Sequence, residues 1–191
     1  MDLLYHLKTA TTVAHESLER ELDLLRPSLT LAEYVELLEC FYGFWSPWEA
    51  LAGRILSPDF FDPRRKVALL EQDLRRFGRN PQAVLRALPK PELPVLRTRD
   101  AALGSMYVIE GSTLGGQLLS RHFEKAFGFS NGEGDSFFRS YGPETGRMWR
   151  QFGETLKSVS SPEGEQQAVS AANDTFIRLR EWFAATKDVH V

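Results

Sequence analysis

The feature that most constrains the fold is the spacing of apolar and small residues, which recur every three or four positions from the start of the chain. In the first segment they are Leu4, Leu7, Thr11, Ala14, Leu18, Leu22 and Leu25, and Pro27 ends the run. Residues with this spacing lie on one face of an α-helix. No stretch of the sequence shows the alternation, bounded by turn dipeptides, that is typical of β-strands. We therefore predict an all-α protein with about seven helices.

Capping residues and prolines indicate where the later helices begin and end. Thr30 and Glu33 form a capping box, which predicts a long, aromatic-rich helix extending to Leu56. A glycine-rich, irregular connection is predicted for residues 128–142. The remaining helices are predicted from Asp62–Pro63 to Gly78, from Asn80–Pro81 to before Pro89, from about Thr98 to Phe127, and from Pro143 and Pro162 onward.

The length and charge of the chain limit the classes of protein to which it can belong. Its 191 residues suffice for one sizeable core, so we predict a single domain over residues 1–191, with a disordered tail after about residue 186. A formal net charge of −3 gives no general attraction to nucleic acid or to an anionic membrane. The single Cys40 excludes an intramolecular disulfide, and neither end resembles a signal peptide or membrane anchor. We expect a soluble, cytoplasmic protein.

Lys8, His15 and Glu19 form the first candidate site. Lys8 and His15 are seven residues apart, so two helical turns bring them to one face, about 10 Å apart along the axis. This is about the distance between a haem iron and its propionates. Glu19 follows His15 by four residues and could accept a hydrogen bond from the ring nitrogen that does not bind a metal. The same histidine could instead be satisfied by a neighbour and bind nothing.

Three glycines interrupt the strongly helical segment YVIEGSTLGGQLL. Gly111, Gly115 and Gly116 each cost about 1 kcal/mol relative to alanine inside a helix. Another requirement must offset this loss. Two explanations remain open at this point: close packing against another helix, or close approach of a kinked helix backbone to a flat ligand.

Together these segments resemble the haem oxygenases. The resemblance spans essentially the whole chain and is carried by LKTATTVAHESLE, by YVIEGSTLGG and, less closely, by NDTFIRLREWF. It is strongest to the bacterial branch, which supplies biliverdin to phytochromes or releases iron from haem. It implies a single-domain fold in which haem is sandwiched between an N-terminal proximal helix and a glycine-kinked distal helix. It also implies oxidative opening of haem b, which is both cofactor and substrate, to biliverdin, carbon monoxide and ferrous iron, using O2 and external electrons.

The resemblance assigns roles on the proximal side of the haem. His15 is similar to the metal ligand of the family, and Lys8 to the basic residue that pairs with a propionate. Glu19 matches the carboxylate that holds the histidine. Arg150 lies where the family supplies another propionate-binding cation, with Arg147 as a competitor one turn earlier.

On the distal side, the resemblance concerns the glycine helix and two aromatic residues. Gly111, Gly115 and Gly116 match the glycines that let the helix backbone lie against the haem. Ser112 stands where the mammalian-type pattern has an aspartate; it could hold a water, or it could bond to a carbonyl of its own helix. The two aromatics are Tyr107, placed for a propionate or the pocket edge, and Phe176, which resembles the pocket-lining aromatic of the last helix.

The partners and the competing functions follow from the same reading. No strand-associated G-x-G-x-x-G motif is present, so electrons would come from a separate ferredoxin or flavin reductase, and a phytochrome could receive the biliverdin. One alternative is a haem carrier or sensor of the same fold without turnover. Another is a thiaminase-like or quinone-cofactor-forming enzyme of similar architecture that does not ligate haem through this histidine. A di-iron bundle is disfavoured, because the chain has no Glu-x-x-His pair.

Overall fold

The computed structural model describes residues 2–130 and 132–187, and in this part of the chain the regular structure is entirely helical. Seven of its α-helices are longer than four residues, as the sequence predicts. The predicted tail after residue 186 falls almost wholly outside the described residues. The helices are α1 (Leu3–Leu22), α2 (Leu31–Ala52), α3 (Pro58–Phe61), α4 (Val67–Arg76), α5 (Pro81–Ala87), α6 (Arg99–Phe127), α7 (Ser136–Arg139), α8 (Thr145–Leu156) and α9 (Pro162–Lys187).

The core is built around α2 and the pair formed by α6 and α9. The aromatic-rich α2 begins at the predicted capping box, in which Glu33 N–H donates to Thr30 Oγ1 and Thr30 N–H donates to Glu33. Its large side chains, including Tyr34, Phe44 and Trp48, are buried. The aromatic stripe is therefore core, and it holds the other helices together through apolar burial.

α6 and α9 cross at very close range. A Cβ on Gly104 would overlap the backbone of Ala168, so this crossing requires the glycine. α1 also packs on α9, and in this way α9 supports both α1 and α6. α1 and α6 carry most of the residues of the candidate site.

Two helix starts differ from the sequence prediction. The Asp62–Pro63 dipeptide opens only a 3₁₀ turn (Asp62–Arg64), and α4 begins at Val67. The reason is a distant cap: Glu49 of α2 accepts hydrogen bonds from the N–H groups of Lys66 and Val67. A 3₁₀ turn (Gly142–Glu144) also precedes α8, which therefore begins at Thr145 rather than at Pro143.

The connection predicted to be irregular contains the short helix α7. Asp73 of α4 accepts hydrogen bonds from Ser136 N–H at 3.0 Å and Phe137 N–H at 2.9 Å, which satisfies the start of this helix. The capping residue lies more than sixty positions away in sequence, so local pattern did not reveal α7.

Candidate functional site

The second half of α1 carries an apolar stripe that the rest of the protein covers only in part. The apolar stripe of α1 continues to Leu22, but its buried residues end at Thr11. Ala14, Leu18 and Leu22 are only partly buried, although they share the core-facing side of the helix. An amphipathic stripe that lacks a complete protein partner indicates a surface available to a ligand.

His15 projects at the edge of this partly buried stripe. Its side chain is 52% exposed, and its Nδ1 lies 3.6 Å from Glu19 Oε2. Its ring meets the buried Phe176 of α9 edge to face, with the ring centroids 5.8 Å apart. Nε2 has no hydrogen-bond partner among residues 2–130 and 132–187. Phe176 thus restrains the ring on one side, Glu19 lies just beyond hydrogen-bonding distance of Nδ1, and Nε2 faces no protein partner in the described ranges.

His6 provides a comparison on the same helix. Its Nδ1 lies 2.6 Å from Glu165 Oε1 of α9, and it is therefore engaged in joining α1 to α9. His15 is 52% exposed and has only the longer approach to Glu19. Of these two histidines, His15 is the better placed to bind a ligand.

The outer face of α6 is apolar and poor in side chains. A Cβ on Gly115 would meet nothing within 4 Å, and one on Gly111 would only touch the Trp149 ring at 3.8 Å. Leu114 and Leu118 flank these glycines and are 45% and 52% exposed. A backbone surface of this kind admits a flat apolar ligand more closely than any other helix face would.

Gly116 differs from the other two glycines. A Cβ on this residue would lie 2.6 Å from the carbonyl oxygen of Phe138, so Gly116 allows α6 to pack against α7. The two explanations left open by the sequence therefore divide between the residues: Gly116 allows close packing, Gly115 faces open space, and a Cβ on Gly111 would make only ordinary contact with Trp149.

Ser112 and Tyr107 lie on either side of the first glycine of this face. The Ser112 hydroxyl donates to the Ile109 carbonyl at 2.8 Å, which is the bond within its own helix that the sequence analysis considered. Burial raises the pKa of Tyr107, and its side chain meets Thr11 of α1. The Tyr107 ring also contacts Trp149, with centroids 5.9 Å apart. The contact between Tyr107 and Thr11 joins α1 to α6.

Of the cations that the sequence proposes as propionate partners, Lys8 lies on α1, and Arg147 and Arg150 lie on α8. Lys8 and Arg150 are exposed and form no ion pair within the described residues. Arg147 is paired with Glu144 in the turn that precedes α8. Arg150 is therefore freer than Arg147 to bind an anionic group, whereas the sequence alone left Arg147 as a competitor.

Sequence reasoning missed a buried polar cluster behind the glycine face. Arg64 Nη1 donates to Glu110 Oε2 at 2.5 Å, and the Tyr141 hydroxyl donates to Glu110 Oε1 at 2.6 Å. Burial, followed by the Glu110 charge, raises the pKa of Tyr141. Nearby, burial lowers the pKa of Lys66 to about 8, and its Nζ lies 3.4 Å from the centre of the Tyr141 ring. The signal in the sequence was a single charged residue, Glu110, directly after the apolar residues YVI of α6.

Across the described ranges, no three His, Cys, Asp or Glu residues are grouped so as to hold a metal ion. No helix there combines the length and the apolar character needed to cross a lipid bilayer.

Comparison with known proteins agrees with the geometry. The family model described as "Heme oxygenase" matches residues 1–185. A haem oxygenase from Xanthomonas campestris pv. campestris is 31% identical over 124 residues, which are 64% of this chain and 69% of the relative.

Solved structures show the same fold. The haem oxygenase from Neisseria meningitidis, solved with NO and CO bound, has a TM-score of 0.77 at 21% identity and covers 97% of this chain and 92% of its own. Haem oxygenase-1 from the cyanobacterium Synechocystis, in complex with haem, has a TM-score of 0.71 at 20% identity, with coverages of 98% and 93%. The predicted all-α fold is confirmed by these neighbours, and the family model confirms the predicted resemblance. The chain belongs to the haem oxygenase family.

Proposed function

We propose that this chain binds haem b between the second half of α1 and the glycine face of α6, and opens it oxidatively to biliverdin, carbon monoxide and ferrous iron. One observation carries the proposal. The protein has both a half-exposed His15, whose Nε2 has no partner in the described residues, and a helix face that lacks side chains at Gly111 and Gly115. A porphyrin needs both features, because it is a flat apolar ring with a metal at its centre.

On the α1 side, His15 would bind the iron through Nε2. Glu19 Oε2 would move closer to Nδ1 than its present 3.6 Å, accept a hydrogen bond from Nδ1–H and so leave Nε2 to bind the iron. Phe176 would limit rotation of the imidazole through its edge-to-face contact. Lys8, on the same face two turns earlier, would pair with a propionate.

On the α6 side, the protein would contribute room rather than a reactive side chain. When bound, haem supplies both the redox-active iron and the ring that is opened. Gly111 and Gly115 would let the backbone approach the ring plane. The Ser112 hydroxyl donates a hydrogen bond to the Ile109 carbonyl, and its oxygen can still accept a hydrogen bond from a water. No acidic or basic side chain occupies positions 111–116, which distinguishes this face from that of a peroxidase.

The exposed cations would orient the substrate. Lys8 and Arg150 would meet the two propionates, and Tyr107, which contacts Thr11 of α1, would lie at the pocket edge. We further propose that electrons come from a ferredoxin or a flavin reductase, that O2 is the oxidant, that the enzyme acts in the cytoplasm, and that a phytochrome is one candidate recipient of biliverdin.

The decisive experiment adds haem, a reductant and oxygen to the purified protein and follows the absorption spectrum. Loss of the Soret band with appearance of biliverdin supports the enzyme. A stable oxy or ferric spectrum would instead support a haem carrier or sensor of the same fold. Failure to bind haem would reject both and favour another all-α enzyme.

A further inference from the structure

Glu110 is a buried acid directly before the glycine face. It is fully buried, and both of its carboxylate oxygens are engaged: Arg64 Nη1 donates to one at 2.5 Å and the Tyr141 hydroxyl to the other at 2.6 Å. Arg64 Nη1 also donates to the carbonyl of Met148 in α8 at 3.3 Å. Glu110 therefore connects α6 to the 3₁₀ turn Asp62–Arg64, to α8 and to the chain segment before α8.

A second set of contacts holds α6 just after the glycine face. The carbonyl of Phe138 lies against Gly116, and Gln117 Nε2 donates to the Arg139 carbonyl at 2.7 Å. Phe138, Arg139 and Tyr141 belong to one short segment, residues 136–141, which we call the brace. The brace thus contacts α6 on both sides of residues 111–115.

The brace is itself fixed to the core. Asp73 accepts hydrogen bonds from the N–H groups of Ser136 and Phe137, and Ser120 donates to Asp135. Phe137 and Phe138 are buried. The brace is therefore a rigid support for the part of α6 that lies between its two contacts.

The supported part of α6 is intrinsically soft. Glycine raises the conformational freedom of a helix, and the backbone here is restrained little by neighbours: a Cβ on Gly115 would meet nothing within 4 Å, and one on Gly111 would meet only the Trp149 ring at 3.8 Å. A buried ion pair with additional hydrogen bonds favours one geometry strongly, because moving either charge leaves the other desolvated and unpaired. Glu110 is thus placed to decide where this backbone lies.

We propose that Glu110, held by Arg64 and Tyr141, is a positioning residue that sets the distance and tilt of the Gly111–Gly115 backbone relative to the haem, and so influences which meso carbon is oxidised. This inference rests on the proposed function. Glu110 does not touch the substrate; it acts through the adjacent backbone. The choice among meso carbons responds to small displacements, since a tenfold change in a ratio needs only about 1.4 kcal/mol.

The test is the variant Tyr141→Phe, which removes one hydroxyl from Glu110 and keeps the ring on which the Lys66 ammonium lies. Tyr42→Phe is the matched control. The Tyr42 hydroxyl likewise donates to a carboxylate, Glu71 Oε1 at 3.0 Å, but this hydrogen bond joins α2 to α4 and involves neither Glu110 nor residues 136–141. A second variant, Arg64→Lys, changes the other hydrogen-bond donor to Glu110. Circular dichroism establishes that each variant is folded.

The first readout is amide hydrogen exchange of the ligand-free protein. We expect amides 111–117 to exchange about tenfold faster in Tyr141→Phe, the scale of one hydrogen bond to a charged group, and to be unchanged in Tyr42→Phe. The second readout is the biliverdin isomer ratio, which we expect to shift at least about twofold in Tyr141→Phe alone. A loss of global stability by itself would not move this ratio.

The outcomes separate the two levels of the proposal. If the parent protein makes no biliverdin, the proposed function fails, and the positioning role fails with it. If the parent turns over but Tyr141→Phe has the parent's exchange rates or the parent's isomer ratio, only the positioning role is overturned. An equal shift of the ratio in Tyr42→Phe would also overturn it.

Discussion

Alanine at two adjacent glycines of α6 should have opposite effects on the stability of the ligand-free protein. At Gly115 a new Cβ meets nothing within 4 Å, so Gly115→Ala gains the helix propensity of alanine, about 1 kcal/mol. At Gly116 the same gain is opposed by a Cβ only 2.6 Å from the Phe138 carbonyl oxygen. This oxygen is a backbone atom of a capped helix and cannot rotate away. Overpacking of this kind costs about 1–3 kcal/mol.

The two variants should therefore differ by about 1–3 kcal/mol in their free energy of unfolding, with Gly115→Ala the more stable. For a chain of this size the difference corresponds to about 2–12 °C in Tm. Thermal unfolding of both ligand-free variants, followed by circular dichroism beside the parent protein, measures it.

The haem affinities of the same proteins, measured by titration, should not follow the order of their stabilities. Gly115→Ala places a methyl group on the open face, so we expect its haem affinity to fall about tenfold, or about 1.4 kcal/mol, despite its higher stability. Two results would refute the reasoning. If Gly115→Ala is as unstable as Gly116→Ala, residue 115 is not in open space, and if Gly115→Ala binds haem like the parent, this face is not the haem face.

Three further predictions concern other residues. His15→Ala should abolish normal haem ligation, and added imidazole should restore a histidine-like spectrum; a parent-like ferric spectrum without imidazole would exclude His15 as the ligand. Lys8→Ala and Arg150→Ala should change the biliverdin isomer ratio or its rate of formation before they prevent binding, because exposed ion pairs contribute only about 0–1 kcal/mol; product chromatography measures both. Burial lowers the pKa of Lys66 from 10.5 to about 8, so the unfolded chain binds more protons and stability should rise as the pH increases from about 8 to about 10.5. Lys66→Met should lack this rise in denaturant titrations, and an equal rise in both proteins would contradict the assignment.

The helical pattern and the caps were enough to predict most of the fold. Thr30 with Glu33, and Asn80 with Pro81, are local signals, and the corresponding helices begin where the sequence places them. α4 and α7 were misplaced or missed because their first N–H groups are satisfied by Glu49 and Asp73, on other helices. Such caps depend on tertiary packing, which a local pattern does not contain.

The candidate site was also predictable only in part. The spacing of Lys8, His15 and Glu19 placed them on one exposed face, because helical geometry alone determines this. Gly115 and Gly116 look alike in the sequence, and only the position of α7 distinguishes them. The roles assigned to these residues remain predictions.

The crossing at Gly104 restricts how this protein can vary. The atoms that a Cβ at residue 104 would strike are the carbonyl oxygen, carbonyl carbon and Cα of Ala168, which every amino acid possesses. No replacement at position 168 can therefore compensate for a larger residue at position 104, so a paired substitution at these two positions would not relieve the overlap. The only accommodation is for α6 and α9 to separate. Since α1 also packs on α9, such a separation would shift α1 relative to α6, and a change far from His15 would alter the position of His15 relative to the glycines of α6.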